Sequence, residues 1–314
     1  MTKRIGLMVG REWSFPPAFI DEVNRRPGLA AELVTVGGVA MDQPCPWDVI
    51  VDRISHEVPF YRTYLKQCVL QGTAVVNNPF MWTADDKFFG AALITRLGVA
   101  SPRTVALPNK EYIPGIVPGE SLRNLQYPLD WEGLVRHIGL PCILKDAHGG
   151  GWRDVYVCDT LEELIRSYDQ SGQLVMIMQE FIRFEQFVRC MCVGQEEILI
   201  MPWDPKQRRY GEDPDYLAPA LRDRVIRDAR TIVQALGYDM NTIEFAIRDG
   251  IPYAIDFMNP APDMDIYSLG PVYFEWVLTR MVDLVERLAR GGRRQVAELG
   301  WSALFTAGRR ADET

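Results

Sequence analysis

The chain has 314 residues, of which 47% are hydrophobic and 24% charged, a composition typical of globular proteins that bury a substantial core. Its net charge of -8 argues against a nucleic-acid partner, and the basic pairs Arg208-Arg209 and Arg293-Arg294 are too short to change that. No run of about 18 apolar residues is present, which excludes a membrane-spanning helix and argues against a membrane partner.

The N-terminus and the cysteines bear on the compartment. Met1–Gly10 combines basic residues with a short apolar run, as a signal peptide does, but the run is brief and Arg11-Glu12 interrupts it, so a buried strand is the better interpretation. The six cysteines lie mostly in apolar runs and only three histidines are present. These observations argue against zinc and favour reduced thiols in a cytoplasmic protein.

Strands and helices alternate at the start of the chain. Apolar strands are predicted at 3–9, 32–37, 47–51 and 73–76, with helices at 16–26 and 56–71. Near-continuous apolar strands of this kind predict a small parallel α/β domain. A further helix is predicted with Thr83 as its N-cap, Asp85 and Asp86 in its first turn, and Gly98 beyond its end.

A connector rich in proline and glycine, 108–128, marks a domain boundary. The elements predicted after it are helix 130–138, strands 141–146 and 154–158, helix 160–170, strands 173–179, 184–193 and 197–202, a polar excursion at 202–219 and helix 219–236. Asp249-Gly250, between apolar runs at 243–248 and 251–257, is a strong β-hairpin signal. Helix 271–290 and a charged tail complete the chain.

A glycine loop joins two of the predicted strands. Lys145 ends an apolar run, Gly149-Gly150-Gly151 follows four residues later, and Arg153 precedes the next run. Glycine allows a backbone to lie directly against a ligand, and such a loop can cover the phosphates of a nucleotide. A plain glycine hairpin is the alternative, because short glycine motifs are weak evidence by themselves. The loop is not a Walker A motif, and a strand rather than a helix follows it, unlike a Rossmann fingerprint.

The predicted hairpin carries two carboxylates. Glu244 lies on its first strand, Asp256 ends its second, and Asn259 follows. Carboxylates opposed across an antiparallel pair, with an amide oxygen, form an all-oxygen cluster suited to Mg²⁺. Both carboxylates interrupt apolar runs, where an unpaired charge is costly, although ordinary surface positions are the alternative. Arg248 is the one Lys or Arg interleaved closely enough to neutralise them instead.

In their order along nearly the whole chain, these features resemble the ATP-grasp superfamily. Asp86-Lys87 at a helix start, Lys145 with its glycine loop, Gln179-Glu180-Phe181-Ile182, and Glu244…Asp256…Asn259-Pro-Ala-Pro follow an N-terminal α/β domain. The resemblance implies an α/β fold with a parallel pre-ATP-grasp domain and nucleotide bound between two antiparallel sheets. The implied domains are 1–79 (pre-ATP-grasp), 80–128 (helix and connector), 129–182 (small subdomain with the glycine loop), 183–296 (C-terminal subdomain with the metal site) and 297–314 (charged tail).

The resemblance also implies roles for individual residues, with ATP as cofactor and Mg²⁺, or alternatively Mn²⁺, as metal. The residues expected to bind the nucleotide are Lys87, Lys145, Gly149, Gly150, Gly151, the hinge residues Gln179, Glu180, Phe181 and Ile182, which would contact the adenine, and Glu185, which would contact the ribose. Arg153, which would close over phosphate, and Arg189 are the catalytic candidates. The expected metal ligands are Glu244, Asp256 and Asn259. Lys87 as a solvated helix lysine and Lys145 as an ordinary strand-end lysine are the alternatives.

The sequence departs from the superfamily pattern at three places. Phe187 occupies the usual position of the ribose-binding carboxylate, so the role passes to Glu185 on the same strand face. One extra residue separates Asp256 from Asn259, so either a bulge at Phe257-Met258 restores the geometry or Asp263 or Asp265 supplies a ligand. Thr242 stands where D-alanine–D-alanine ligase-like members carry an arginine, which implies different substrate chemistry.

The expected function is an ATP-dependent ligase that joins a carboxylate to an amine, or to a thiol, through an acyl phosphate and releases ADP and phosphate. The expected partners are small-molecule substrates. The oligomeric state is open, with a homodimer as one option. One alternative is an ATP-grasp kinase of a hydroxyl acceptor, whose basic pocket would use Arg53, Arg62 and Arg103. The other alternative is a nucleotide-binding protein without turnover.

Overall fold

The computed structural model describes residues 1–84, 86–151 and 153–291, with the side chains of these residues except 82–84 and Pro118. They form two compact units. The first unit comprises Met1–Thr83, Phe187–Phe245 and the chain from Asp256 onward, and the second comprises Ala84–Gln186 and Ala246–Ile255. The charged tail predicted at 297–314 lies outside the described residues.

The strands, in chain order, are β1 (Lys3–Met8), β2 (Leu29–Leu33), β3 (Val49–Asp52), β4 (Ala74–Val76), β5 (Thr104–Ala106), β6 (Cys142–Asp146), β7 (Val155–Cys158), β8 (Met176–Glu180), β9 (Gln186–Val193), β10 (Glu197–Asp204), β11 (Arg209–Tyr210), β12 (Met240–Arg248) and β13 (Ile251–Asp256). The helices are α1 (Phe15–Asn24), α2 (Pro59–Leu70), α3 (Lys87–Arg96), α4 (Pro118–Ser121), α5 (Trp131–Ile138), α6 (Leu161–Asp169), α7 (Pro219–Leu236) and α8 (Ile266–Arg290), with a 3₁₀ helix at Pro79–Ala84.

The first unit contains the predicted parallel sheet, in the strand order β2-β1-β3-β4. Ile5 of β1 lies opposite Ala31 and Val49, so both neighbours of β1 run parallel to it. Apolar residues of α1 and α8 pack with the sheet in one core, and those of α2 pack in another. Burial on both faces explains why the strands are apolar throughout. The fold class predicted from the sequence is confirmed.

The second unit contains an antiparallel sheet in the order β5-β8-β6-β7. Ile143 of β6 lies opposite Gln179 of β8, and Lys145 lies opposite Val155 of β7. The sequence missed β5, because three residues just before the proline-rich connector carry no periodic pattern. Pairing with β8 is what forms this strand.

A further sheet has the order β11-β10-β9-β12-β13. Its predicted β12–β13 hairpin is confirmed, and Asp249 and Gly250 both have positive φ (53° and 70°), as a two-residue type I′ turn requires. The helix predicted at 271–290 starts earlier, at Ile266, and is broken at Gly270 (φ 74°) before Pro271.

The N-cap of α3 differs from the prediction. Asp86 caps this helix, because its carboxylate accepts hydrogen bonds from the amides of Phe88 and Phe89 at 2.8 and 2.9 Å. Thr83 lies within the 3₁₀ helix instead, so the predicted Thr83 cap is wrong. Asp85 lies outside the described residues. Among the helices that the structure describes, none is long and apolar enough to span a membrane.

Candidate functional site

Lys145 lies at the centre of the candidate phosphate-binding part of the second unit. It occupies β6 with 9% of its surface exposed, and its ammonium donates a 3.0 Å hydrogen bond to the main-chain oxygen of Ile255. A buried ammonium is costly unless it is hydrogen-bonded. The residue after Ile255 in the chain is Asp256, the first residue of the predicted metal motif.

The glycine loop begins directly after β6. Asp146 accepts a hydrogen bond from the amide of His148, which turns the chain back on itself. A Cβ on Gly149 would lie 2.8 Å from a carboxylate oxygen of Asp146, and Gly151 has a φ of 67°, so glycine is favoured at both positions. The structure thus gives a conformational reason for these two glycines, independent of any ligand.

Lys87 and Arg153 both contact this loop. The Lys87 ammonium donates to the main-chain oxygen of Gly149, and the Lys87 amide donates to Ala147 at 3.2 Å. The Arg153 guanidinium is exposed and lies 3.4 Å from the oxygen of Gly150. Lys87, which is distant in sequence, therefore contacts the loop that Lys145 and Arg153 flank, so it is not a solvated helix lysine.

The hinge predicted at 179–182 consists of the last two residues of β8 and the two residues that follow it. Gln179 donates to the hydroxyl of Thr104 on the neighbouring strand at 3.0 Å, and Ile182 is buried while Phe181 is half-buried. The carboxylate of Glu180 forms ion pairs with Arg103 at 3.0 Å and Arg248 at 3.1 Å. The side chain of Glu180 is therefore committed to holding the hinge in place.

Glu180 provides a test of this structural role. Burial alone would raise the pKa of this carboxyl, but the two arginines hold its pKa below the ordinary value of 4.5. A depressed pKa stabilises the fold above the unfolded-state pKa, and this stabilisation is lost as the pH falls through the folded-state pKa. We therefore expect Glu180→Gln to lower the melting temperature at pH 7, with the difference from wild type shrinking as the pH falls below 4.5. A constant difference across this range, in calorimetry, would contradict the ion-pair role.

Glu185, the candidate ribose ligand, is exposed and lies just after the hinge. Its carboxylate accepts a 3.2 Å hydrogen bond from the amide of Asp249 in the β12–β13 turn, and its own amide donates to Ile247. Phe187, at the position where the superfamily usually has a carboxylate, is 5% exposed. The assignment of the ribose to Glu185 stays a prediction, supported by its exposure.

Arg189 and Glu244 form an ion pair in the first unit. The guanidinium lies 2.6 Å from the Glu244 carboxylate and stacks on the ring of Trp203 at 3.9 Å. Burial alone would lower the pKa of Arg189, but Glu244 and Tyr210 raise it. The prediction that only Arg248 could neutralise the hairpin carboxylates is wrong. The sequence analysis missed Arg189 as the partner of Glu244, because β9 and β12 are far apart in the chain although they are neighbours in the sheet.

The last residue of β13, Asp256, and Asn259 in the loop after it are the other two candidate metal ligands. Asp256 is exposed, and the amide nitrogen of the Asn259 side chain donates to the hydroxyl of Thr242 at 2.9 Å. The buried side chain of Asn241 donates to the oxygen of Phe257 and accepts from the amide of Asn259, both at 2.8 Å. These two hydrogen bonds are made to the residues on either side of Met258, the extra residue of the motif. Sequence reasoning missed Asn241, although an amide in an apolar strand must find hydrogen-bond partners.

Asp263 and Asp265, the alternative ligands, are used elsewhere. Asp265 accepts hydrogen bonds from the amides of Trp13, Ser14 and Phe15 at the start of α1. These contacts keep the pKa of Asp265 low against the effect of burial. Asp263 accepts from the amide of Asp265 and the hydroxyl of Ser268. These bonds favour the bulge over a replacement ligand.

The donor chemistry of Asp256, Asn259 and Glu244 fits Mg²⁺. The side-chain nitrogen of Asn259 is engaged by Thr242, which leaves its oxygen on the opposite side of the amide. Within the described residues, no three His, Cys, Asp or Glu side chains come together as a complete metal-binding set. Mg²⁺ in nucleotide sites uses one or two carboxylates and completes its shell with phosphates and water.

Comparison with known proteins gives three matches of note, and no protein-family model matches the chain. The D-alanine–D-alanine ligase of Polynucleobacter asymbioticus is 27% identical over 176 residues, 50% of this chain and 52% of that protein. The chain thus spans about half the length of this curated relative. Two solved structures have a TM-score of 0.63: the D-alanine–D-alanine ligase of Bacillus anthracis complexed with ATP and a RimK domain ATP-grasp protein of Sphaerobacter thermophilus.

The two structural matches extend over almost the whole chain. The Bacillus anthracis ligase is 15% identical and the alignment covers 93% of this chain and 99% of that one. The Sphaerobacter thermophilus protein is 17% identical, with 91% and 98% covered. The TM-scores of 0.63 establish a common fold, and identity at this level shows no more than that. The parallel sheet and the antiparallel sheets of this chain agree with it. The chain therefore has the ATP-grasp fold, as the resemblance to the ATP-grasp superfamily implied.

Proposed function

We propose that this protein is an ATP-dependent ligase that joins a small-molecule carboxylate to an amine, or to a thiol, and releases ADP and phosphate. The observation that carries the proposal is the position of Lys87, beside the glycine loop that begins just after Lys145. A loop that offers backbone amides, with lysines beside it, provides the positive potential that a triphosphate needs. The match to a ligase complexed with ATP supports ATP as the nucleotide.

The proposed roles divide between the two units. Lys87, Lys145 and Arg153 bind and orient the triphosphate, and the hinge residues 179–182 with Glu185 bind the nucleoside. Asp256 and Asn259, with Glu244, hold Mg²⁺, which neutralises phosphate charge when bound. Mn²⁺ has the same preference for oxygen ligands and is expected to substitute.

The proposed reaction has two steps. A carboxylate oxygen of the substrate forms a bond to the γ-phosphorus while the bond to the bridging oxygen breaks, giving an acyl phosphate and ADP. The amine then attacks the acyl carbon, phosphate leaves, and the amine proton passes to solvent. The protein contributes positioning and charge rather than a covalent nucleophile. Arg189, held by Glu244 and Trp203, is the proposed group that stabilises charge on the transferring phosphoryl or the tetrahedral oxygen.

The alternative of a kinase receives no support from the arginines it would need. Arg53 is buried and bonded to Glu12, Arg62 donates to the main-chain oxygen of Ser55 at 3.2 Å, and Arg103 is bonded to Glu180. A nucleotide-binding protein without turnover is favoured by one observation, the ion pair that already engages Glu244. A cytoplasmic location is proposed from the six free thiols, and a homodimer remains a proposal.

Screening pairs of carboxylates and amines for nucleotide turnover tests the proposed function. We expect ADP and phosphate to appear in equal amounts, dependent on Mg²⁺ and on both substrates, with intact mass identifying the amide product. Release of ADP without free phosphate would indicate a kinase. AMP as the stoichiometric product would contradict the mechanism, because the loop is assigned to the terminal phosphates.

A further inference from the structure

The loop that follows β13 is held at two carbonyl groups by buried side chains from the parallel sheet. The loop, Phe257–Pro262, contains Asn259, one of the proposed metal ligands, and is called here the Asn259 loop. Pro260 and Pro262 have no amide hydrogen, so they cannot donate hydrogen bonds to fix the loop backbone. Their carbonyl oxygens accept hydrogen bonds instead, one from each of two side chains.

Asn77 binds the first of these carbonyls. It follows β4 directly and is 3% exposed. Its side-chain oxygen accepts from the amide of Met240 at 2.8 Å, and its nitrogen donates to Met240 at 2.7 Å and to Pro260 at 3.0 Å. All the hydrogen-bonding capacity of the amide nitrogen is used, so the side chain fixes the start of β12 and the Asn259 loop simultaneously.

Arg53 binds the second carbonyl. It follows β3 directly, and its side chain is 1% exposed. One terminal nitrogen donates to Pro262 and to the carboxylate of Glu12, and the other lies 3.1 Å from the sulfur of Met240. Burying a guanidinium is costly, and it is compensated only when good partners surround it. The planar fork of arginine suits a contact with several partners, which one lysine nitrogen does not reproduce.

Arg53 and Asn77 both lie at the carboxyl edge of the parallel sheet. β3 and β4 are neighbours, with Val51 opposite Val76, so Arg53 and Asn77 leave the carboxyl ends of adjacent parallel strands. The two carbonyls they bind lie one and three residues after Asn259. The sheet thus fixes the loop beyond Asn259, while Asn241 fixes it before Asn259 through Phe257.

We propose that Asn77 and Arg53 are positioning residues for the metal site, which fix the Asn259 loop so that Asn259 and Asp256 are held ready to bind Mg²⁺ with a nucleotide. The proposal rests on the proposed function for the identity of the metal and the nucleotide. It assigns the N-terminal parallel sheet a role in metal binding, in addition to any role in substrate binding. Residues that orient metal ligands typically change metal affinity 10–100-fold when replaced.

Mn²⁺ binding in the presence of ADP, followed by electron paramagnetic resonance, tests the proposal without requiring a known substrate. We expect Asn77→Ala to bind Mn²⁺ about tenfold more weakly than the wild type. Asn24→Ala is the matched control, because Asn24 also bonds a backbone amide and carbonyl, those of Ala31, in the same unit. The control should lose less stability than Asn77→Ala, because the Asn24 side chain is exposed, and should bind Mn²⁺ as the wild type does.

Arg53→Lys provides a second variant in case Asn77→Ala does not fold. This variant keeps the positive charge beside Glu12 but loses the planar guanidinium, and we expect Mn²⁺ binding to weaken about tenfold, the lower end of such effects. Unchanged Mn²⁺ binding in a folded form of either variant would overturn the proposal. Equal weakening in Asn24→Ala would do the same, since it would show a general loss of stability. Wild-type protein that binds Mn²⁺ with ADP but has no ligase turnover would contradict the proposed function alone.

Discussion

Replacing Lys145 by alanine is expected to lower kcat/KM for ATP about 10²–10³-fold, the range for loss of one preorganised donor to a developing charge. Lys145 lies in β6 just before the glycine loop, and its ammonium donates a hydrogen bond to the Ile255 carbonyl. Folding should survive, because the loss of a hydrogen bond from a charged group costs about 1.5–3 kcal/mol and the burial of an ammonium is relieved. Nucleotide affinity by calorimetry and steady-state kinetics measure the effect.

The control for Lys145 distinguishes its charge from its packing. Lys145→Met keeps the apolar stem and should lose as much activity as the alanine variant while retaining more stability. Lys110→Met removes an ammonium from the same unit, where Lys110 pairs with Asp169 at the surface, and should leave kcat/KM unchanged. Wild-type ATP affinity and rate in Lys145→Ala would show that the glycine loop is not a phosphate-binding loop.

Replacing Asp256 by asparagine is expected to reduce Mg²⁺-dependent turnover at least about 10²-fold, because a metal ligand supplies several kcal/mol of charge stabilisation. The melting temperature should stay within about 1 °C of the wild type, since the side chain is exposed and exposed substitutions usually change stability by less than about 0.5 kcal/mol. Asp223→Asn makes the same chemical change at an exposed position on α7 and should alter neither property.

Glu244→Gln should behave differently from Asp256→Asn. Its carboxylate is paired with Arg189 and both side chains are largely buried, so removing the charge leaves an uncompensated guanidinium and lowers stability as well as activity. A variant at Asp256 that loses stability but keeps full activity per folded molecule would contradict the metal assignment. The same result at Glu244 alone would mean that this carboxylate serves Arg189 and not the metal.

The parts of the fold set by local pattern were predictable from the sequence. The apolar strands of the parallel sheet and the Asp249-Gly250 hairpin depend on residues close in the chain, and both are confirmed. Strand β5 was not predictable, because three residues acquire strand geometry only by pairing with β8. The N-cap at Thr83 was wrong for a related reason, since the preceding 3₁₀ helix displaces the start of α3 to Asp86.

The residues of the candidate site could be named from the sequence, but the hydrogen bonds and ion pairs that hold them could not. The motif order named Lys87, Lys145 and Glu244 from the sequence, and each lies on the element expected. Their partners come from distant parts of the chain, as with Arg189 for Glu244. Residues that shape the Asn259 loop, such as Asn77 and Asn241, carry no motif of their own. Their only signal is an amide in or beside an apolar strand, which indicates a buried polar bond but not its partner.

The fate of ATP in the presence of both substrates tests the central claim most directly. Phosphorus NMR of a complete reaction, with the substrate pair found by screening, should show ADP, inorganic phosphate and amide product in a ratio of 1:1:1. No signal should appear from AMP, pyrophosphate or a phosphorylated product that survives after the amine is consumed. ADP with a stable phosphorylated acceptor, or AMP with pyrophosphate, would contradict the assignment of this fold to carboxylate–amine ligation.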